Sequence, residues 1–172
     1  MFTRRPVVIS ASACHDADMS DIDPAALDLV KELLASVVPF AQHAGVTVTT
    51  VGDGMAMATL ADEAFTKNHV GTQHAGALFT VAEAASGAAL AGVMANVLSE
   101  MHAVVRSSTI SYRAPADGPI TATASTSKPG FTARNEYAAE GRTSFDIDVS
   151  MTDAEGDEVA SMTVEWVVTR PT

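Results

Sequence analysis

This sequence has little cysteine, few aromatic residues and few basic side chains, and each shortage narrows the possible functions. Cys14 is its single cysteine, so an internal disulfide is excluded, a cysteine-based zinc motif is unsupported, and a reducing, cytoplasmic setting is expected. Ten Lys and Arg stand against 21 Asp and Glu, for a net charge of −11. A nucleic-acid partner needs a basic surface, so the composition argues against one.

The sequence also has little that indicates a signal peptide or a membrane anchor. The apolar run at 7–9 is far shorter than the ~7–15 residues of a signal-peptide core. The stretch 75–98 has the length of a membrane span, but it carries Glu83 near its middle, many Ala and Gly, and no flanking Lys or Arg. We therefore expect a buried core helix and no membrane partner.

The length and composition predict a single domain. The chain has 172 residues, 47% of them hydrophobic, which is ample for one core. Residues 1–20 show no sustained period and are expected to be a mobile N-terminal segment. Residues 21–172 are expected to form the domain.

An N-terminal helix is predicted to start at Asp23 and Pro24, a capping residue followed by proline at the first helical position. Its end is expected near Pro39. The apolar residues after Pro24 recur at three- and four-residue spacing, typical of an amphipathic helix: Leu27, Val30, Leu33, Leu34, Val37 and Val38.

The other elements are predicted to be strands. Alternation, β-branched residues and turn residues indicate strands over 45–51, 55–60, 103–112, 120–127, 145–151 and 160–168, with 136–141 continuing the sheet. Hairpin-sized connections favour antiparallel pairing. A helix that is apolar all round needs cover on most sides. We therefore expect an α+β fold with a curved antiparallel sheet wrapped around the buried helix.

The central stretch, residues 68–98, carries the clearest functional signal. It opens with Asn68, Gly71, His74, Ala75 and Gly76 and continues as the predicted buried helix. Glu83 is the single carboxylate in this stretch. An ionised carboxylate in an apolar helix is costly unless it is paired, hydrogen-bonded or needed for chemistry.

Two motifs resemble hotdog-fold thioesterases of the phenylacetyl-CoA and 4-hydroxybenzoyl-CoA type. The wider likeness covers roughly residues 45–170. The first motif is Asn68-x-x-Gly71-x-x-His74-Ala75-Gly76-x-x-Phe79-x-x-Ala82-Glu83-x-Ala85, and the second is Ile110-Ser111-Tyr112-Arg113-Ala114-Pro115-Ala116-x-Gly118.

The resemblance implies an acyl-CoA thioesterase that needs no cofactor. Asn68 would orient the carbonyl or the attacking water, and His74 would fix the loop or contact the thioester. The family usually has His-Gly-Gly where this chain has His74-Ala75-Gly76, but Ala75 still offers a backbone N–H.

Candidate substrate-binding residues lie on the helix and on the strand after it. They are Phe79, Ser107 and Ser108, the serines standing near Val105, where some family members have Ser or Thr.

Thioester hydrolysis needs an oxyanion donor and a base or nucleophile. Ala75 and Gly76 at a helix N-terminus suit the first role, and Glu83 suits the second. Glu83 lies eight residues beyond Ala75, about 12 Å along one helix. One carbonyl cannot touch both, so we expect a homodimer, or a dimer of dimers, in which two antiparallel helices complete each site.

Several alternatives stay open. The protein could bind acyl groups without hydrolysing them, or be a hydratase or dehydratase, although no motif of those enzymes is present. Asn68 could be a turn residue, His74 a loop histidine, and Glu83 part of a buried network. The five histidines show no metal-ligand spacing, so no metal is expected. The acyl group is expected to be small or medium-sized, and the 5% aromatic content leans towards an aliphatic one.

Overall fold

The fold is taken from a computed structural model that describes residues 22–171, apart from the side chains of residues 35 and 36. The expected mobile segment, 1–20, lies outside the described residues. Four α-helices and six strands occur in the described part. They are α1 (Pro24–Val37), α2 (Pro39–His43), β1 (Val46–Gly52), β2 (Met55–Leu60), α3 (Ala75–Val93), β3 (His102–Tyr112), β4 (Ile120–Thr126), α4 (Gly130–Glu140), β5 (Arg142–Thr152) and β6 (Glu158–Thr169).

The six strands form one antiparallel sheet in the order β1-β2-β4-β5-β6-β3. The alternation expected in the last two strands is confirmed. The residues that face the core are Phe145, Ile147, Val149 and Met151 on β5, and Ala160, Met162, Val164, Trp166 and Val168 on β6.

Helix α3 lies against this sheet as the central helix, so the expected α+β architecture is confirmed. It has the length and mean hydropathy, 1.4, of a membrane span, yet 67% of that window is buried inside the protein. Small residues allow close approach, since a Cβ on Gly92 would overlap the carbonyl oxygen of Gly52. The helix ends at Val93 rather than near 98, and a short 3-10 segment, Ala95–Glu100, follows it.

Helix α1 begins and ends as predicted. The Asp23 side chain accepts a hydrogen bond from the Ala25 N–H at 2.9 Å, Pro24 occupies the first turn, and the helix ends at Val37, before Pro39. Pro39 starts the short helix α2 instead. Helix α1 packs against α3 and against β1, the strand at one edge of the sheet.

The expectation that 136–141 continues the sheet is wrong, because these residues belong to α4 and the turn after it. Gly141 adopts a left-handed conformation, φ 68°, that ends the helix. Arg134 and Tyr137 lie on its buried side, and Arg134 Nη1 donates to Asp53 Oδ1 at 2.8 Å and to the Val93 carbonyl at 3.0 Å. These contacts join α4 to the end of α3 and to the β1–β2 turn.

Candidate active site

The loop before α3 is held together by the side chain of Asn68. Its Oδ1 accepts from the N–H groups of Val70 and Thr72 at 3.0 and 3.1 Å. Its Nδ2 donates to Thr72 Oγ1 at 2.7 Å and to the Gln73 carbonyl at 3.2 Å. Both donor hydrogens and both acceptor sites of the amide are therefore engaged within the loop.

His74 is the N-cap of α3. Its backbone is extended, with φ −68° and ψ 138°, and its Nδ1 accepts from the Gly76 N–H at 2.9 Å. Because Nδ1 is an acceptor, the neutral imidazole carries its proton on Nε2. His74 thus presents a ring N–H donor while it occupies the N–H of Gly76.

The N–H of Ala75 is the first donor of α3, and it meets no hydrogen-bond acceptor within residues 22–171. The helix dipole reinforces such a donor for a developing negative charge. The same residue's carbonyl accepts from the Tyr112 hydroxyl at 3.1 Å, which ties this end of α3 to β3.

Glu83 lies near the middle of α3 and is half-buried. Its carboxylate has no hydrogen-bond or ion-pair partner in the described part of the chain. Burial raises its pKa above the ordinary value because the ionised form loses hydration. An unpaired carboxylate with a raised pKa is a typical candidate for acid–base or nucleophilic chemistry.

Glu83 opens onto a cavity of about 700 Å³ between α1 and α3. We call it the α1–α3 cavity. Leu34 lines it from α1, Gly87, Leu90 and Ala91 line it from α3, and Trp166 lines it from β6. The cavity has room for the apolar part of a substrate whose reacting atom lies at Glu83.

The remaining predicted site residues are Phe79 on α3 and two serines on β3, which face opposite sides of the sheet. Phe79 is partly exposed on α3, between Ala75 and Glu83. On β3, Ser107 pairs with Glu165 on the outer face, and its hydroxyl bonds the Glu165 carboxylate at 3.1 Å. Ser108 pairs with the buried Val164 on the inner face, and its hydroxyl is buried without a partner in the described residues.

The single chain does not bring Ala75 and Glu83 together, because they lie eight residues apart on one helix. Among residues 22–171, no three His, Cys, Asp or Glu side chains are grouped so that they could hold a metal ion.

Sequence reasoning missed Gln73 and Trp166. Gln73 is buried, and its Nε2 donates to the carbonyls of Ala61 and Gly118 at 3.2 and 2.8 Å, anchoring the loop. Its position beside His74 was the one available signal. The alternation in the last strand predicts that Trp166 faces inward, but nothing near it in sequence indicates that it lies beside Gly87.

Residues 27–168 match a family model described as a domain of unknown function, DUF4442. The chain belongs to this family. The description assigns the family no activity, and none of the curated proteins compared with this DUF4442 protein matches it.

Solved structures resemble the chain over most of its length. A thioesterase family protein from Silicibacter pomeroyi has a TM-score of 0.68 at 18% identity, covering 84% of this chain and 99% of that one. The Escherichia coli PaaI protein, from the phenylacetic acid degradation operon, has a TM-score of 0.64 at 19% identity, covering 86% and 95%. A hypothetical thioesterase from Streptococcus pneumoniae, solved with coenzyme A, has a TM-score of 0.56 at 24% identity, covering 73% and 86%. These likenesses confirm the expected hotdog fold.

Proposed function

We propose that this protein hydrolyses the thioester of an acyl-CoA, and that it does so in the cytoplasm, as its single cysteine suggests. The observation that carries the proposal is the half-buried, unpaired carboxylate of Glu83 at the α1–α3 cavity. The thioesterase names of structural neighbours and the coenzyme A bound by the Streptococcus pneumoniae protein support it.

In the proposed reaction, the Ala75 N–H and the dipole of α3 stabilise the oxyanion that forms on the thioester carbonyl. Glu83 acts as a general base, taking a proton from the water that attacks the carbonyl carbon. The carbon–sulfur bond then breaks, the thiolate receives a proton from Glu83, and the products are a carboxylic acid and free CoA. The alternative is direct attack by the Glu83 carboxylate, which forms an anhydride that water then hydrolyses.

His74 and Asn68 have supporting roles in this proposal. The Nε2–H of His74 is a second donor for the carbonyl region, while its Nδ1 holds the Gly76 N–H. Asn68 acts as a positioning residue, because its amide is used up within the loop. Phe79 and Ser108 remain proposed substrate contacts. Ser107 is the less suited of the two serines, because its hydroxyl bonds Glu165 on the outer face.

The proposal also requires a homodimer. Ala75 and Glu83 are eight residues apart on α3, about 12 Å along the axis, whereas reacting groups must come within about 3 Å of one carbonyl. A two-fold dimer brings Ala75 of one α3 towards Glu83 of the other. The exposed edge strand β3, whose Val104 is 60% exposed, supplies a suitable surface.

Thiol release from a panel of acyl-CoAs tests the function directly. We expect wild type to turn over at least one substrate, and Glu83→Gln and Glu83→Ala to lose about a hundredfold or more of kcat. Glu140→Gln, an exposed carboxylate at the end of α4, is the matched control and should behave like wild type. Turnover that survives in Glu83→Gln would refute the mechanism.

One observation favours non-catalytic acyl binding as the second candidate. Since His74 occupies the Gly76 N–H, one backbone donor at the start of α3 is left for an oxyanion. Binding of acyl-CoA without turnover of any substrate would establish this alternative.

A further inference from the structure

We propose that the α1–α3 cavity is the acyl site and that it selects an unbranched aliphatic chain of medium length. This inference rests on the proposed function, since it assumes that the thioester lies at Glu83. It goes further, because it names the group that the protein should prefer and the residues that set its length.

The inner end of the cavity presents carbon and almost no polar atoms. Trp166 points its ring towards Gly87, and its Nε1 donates to Ser86 Oγ at 3.1 Å, away from a ligand. Ser86 in turn donates to the Glu83 carbonyl at 2.8 Å. Because these polar atoms bond each other, this wall has no free hydrogen-bonding group for a polar acyl chain. An apolar chain placed against it is stabilised by burial of its surface.

Apart from Glu83, which is half-buried, the lining residues with larger polar groups are exposed to solvent. Gln42, Thr47 and Glu63 line the cavity and are all exposed, whereas Leu90 and Ala91 are buried. The cavity is therefore open to water near Gln42, Thr47 and Glu63, and it is apolar and shielded from water near Leu90 and Ala91. A carboxylate or hydroxyl on the far end of the acyl group would lose its hydration at this apolar end without a partner.

The length of the cavity follows from its residues on α3. It extends from Glu83 to Ala91, eight residues further on, which is about 12 Å of helix and about the length of ten extended carbons. A volume of about 700 Å³ falls within the range of small-molecule sites. A benzoyl or phenylacetyl group would leave the inner end unfilled.

Gly87 and Leu34 are the residues that should set the length. Gly87 lies one turn beyond Glu83, and a Cβ added there would meet Trp166 Cζ2 at 3.5 Å, an ordinary contact. Gly87→Ala is thus expected to fold and to narrow the cavity. Leu34 lines it from α1, so Leu34→Trp would fill it from the other side.

The experiment measures kcat/KM for straight-chain acyl-CoAs from about four to sixteen carbons, and for phenylacetyl-CoA and 4-hydroxybenzoyl-CoA. We expect a rise of about threefold to fourfold for each added methylene, a maximum near ten carbons, and the aryl substrates at least tenfold below it. Gly87→Ala and Leu34→Trp should move the maximum to shorter chains. Leu29→Trp, on the exposed side of α1, should leave it in place.

The outcomes separate the chain-length inference from the function itself. A maximum at short or aryl groups, or one that neither cavity variant moves, overturns the inference while hydrolysis stands. If no substrate is hydrolysed, binding of the non-hydrolysable thioether decyl-CoA is measured instead. Binding weakened about tenfold or more by Leu34→Trp but not by Leu29→Trp then supports the acyl site although the enzyme proposal has failed. Equal binding by both variants overturns it.

Discussion

Glu83 is unusual at the level of the single residue because it is half-buried and lacks a partner among the described residues. The other carboxylates of residues 22–171 are exposed or have a partner, as Glu136 has in Lys128 and Glu165 in Arg106. A group that costs stability without forming a contact is more simply explained by chemistry than by structure. This property also makes Glu83 measurable through pH.

We expect wild type to lose stability relative to Glu83→Gln as the pH rises through the range in which Glu83 ionises. Burial raises the pKa of Glu83 in the folded state, above the ~4.3 of an unfolded Glu. Below that value both states hold the proton. As pH rises towards the folded pKa, the unfolded state releases its proton first, so the free energy of unfolding falls. The variant cannot ionise, so its stability relative to wild type should increase across this window and be flat on either side.

Urea unfolding from about pH 3 to pH 8 measures this difference, and Glu136→Gln is a control of opposite sign. Hydrogen bonds from Lys128 Nζ and Thr143 Oγ1 lower the pKa of Glu136. Wild type should therefore gain stability over Glu136→Gln as pH rises through the window below the ordinary Glu value, and lose it as pH falls. A pH-independent difference for Glu83→Gln would contradict the raised pKa.

At the level of elements, the sequence predicts those whose pattern is local. The alternation from Phe145 to Met151 identifies β5 because period two is visible in neighbouring residues. The pairing of Asp23 with Pro24 fixes the start of α1 for the same reason. The candidate site residues Glu83 and His74 can be proposed from the sequence because they belong to one local motif.

The sequence does not predict elements or cavities that depend on contacts between residues far apart in the chain. Helix α4 was missed because its buried Arg134 finds its partner Asp53 81 positions earlier in the chain. The α1–α3 cavity was also hidden, since Leu34 and Trp166 come from opposite ends of the chain. The periodicity of neighbouring residues carries no information about such long-range contacts.

We expect Arg134 to be the residue whose loss most weakens the attachment of α4. Its side chain is 0% exposed and joins Asp53 and the Val93 carbonyl. Arg134→Ala leaves both without their donor, and the expected loss in free energy of unfolding is about 3–5 kcal/mol. Arg113→Ala removes an ion pair with Glu158 that is 57% and 41% exposed, and should cost about 1 kcal/mol or less. Equal losses in urea unfolding would show that α4 does not depend on this contact.

At the level of the whole molecule, the two edges of the sheet differ. Helix α1 packs against β1, the strand at one edge. Strand β3 forms the other edge, pairs with no strand but β6 among residues 22–171, and exposes 60% of Val104 and 50% of Tyr112. An uncovered edge with apolar side chains favours pairing with another chain. The same strand contacts the start of α3 through Tyr112 and the Ala75 carbonyl, so a dimer formed there would lie near the candidate site.

Ala75→Pro allows the shared site to be tested with little disturbance of the fold. Proline has no N–H, so it removes the proposed oxyanion donor. It is well tolerated at the first position of a helix, and the preceding His74 already has the extended conformation, ψ 138°, that proline requires. We expect Ala75→Pro to fold normally and to lose most of its thioesterase activity.

Mixing Ala75→Pro with Glu83→Ala then distinguishes a site made by one chain from a site made by two. If each site takes Ala75 from one protomer and Glu83 from the other, a mixed dimer has one intact site and one site with both lesions. Co-expression in equal amounts should restore about a quarter of wild-type activity, because half of the dimers are mixed and one of their two sites works. Separately purified variants kept apart should stay inactive. If the mixed dimers, isolated by two different tags, are also inactive, each chain must build its own site and the geometry proposed for Ala75 and Glu83 is wrong.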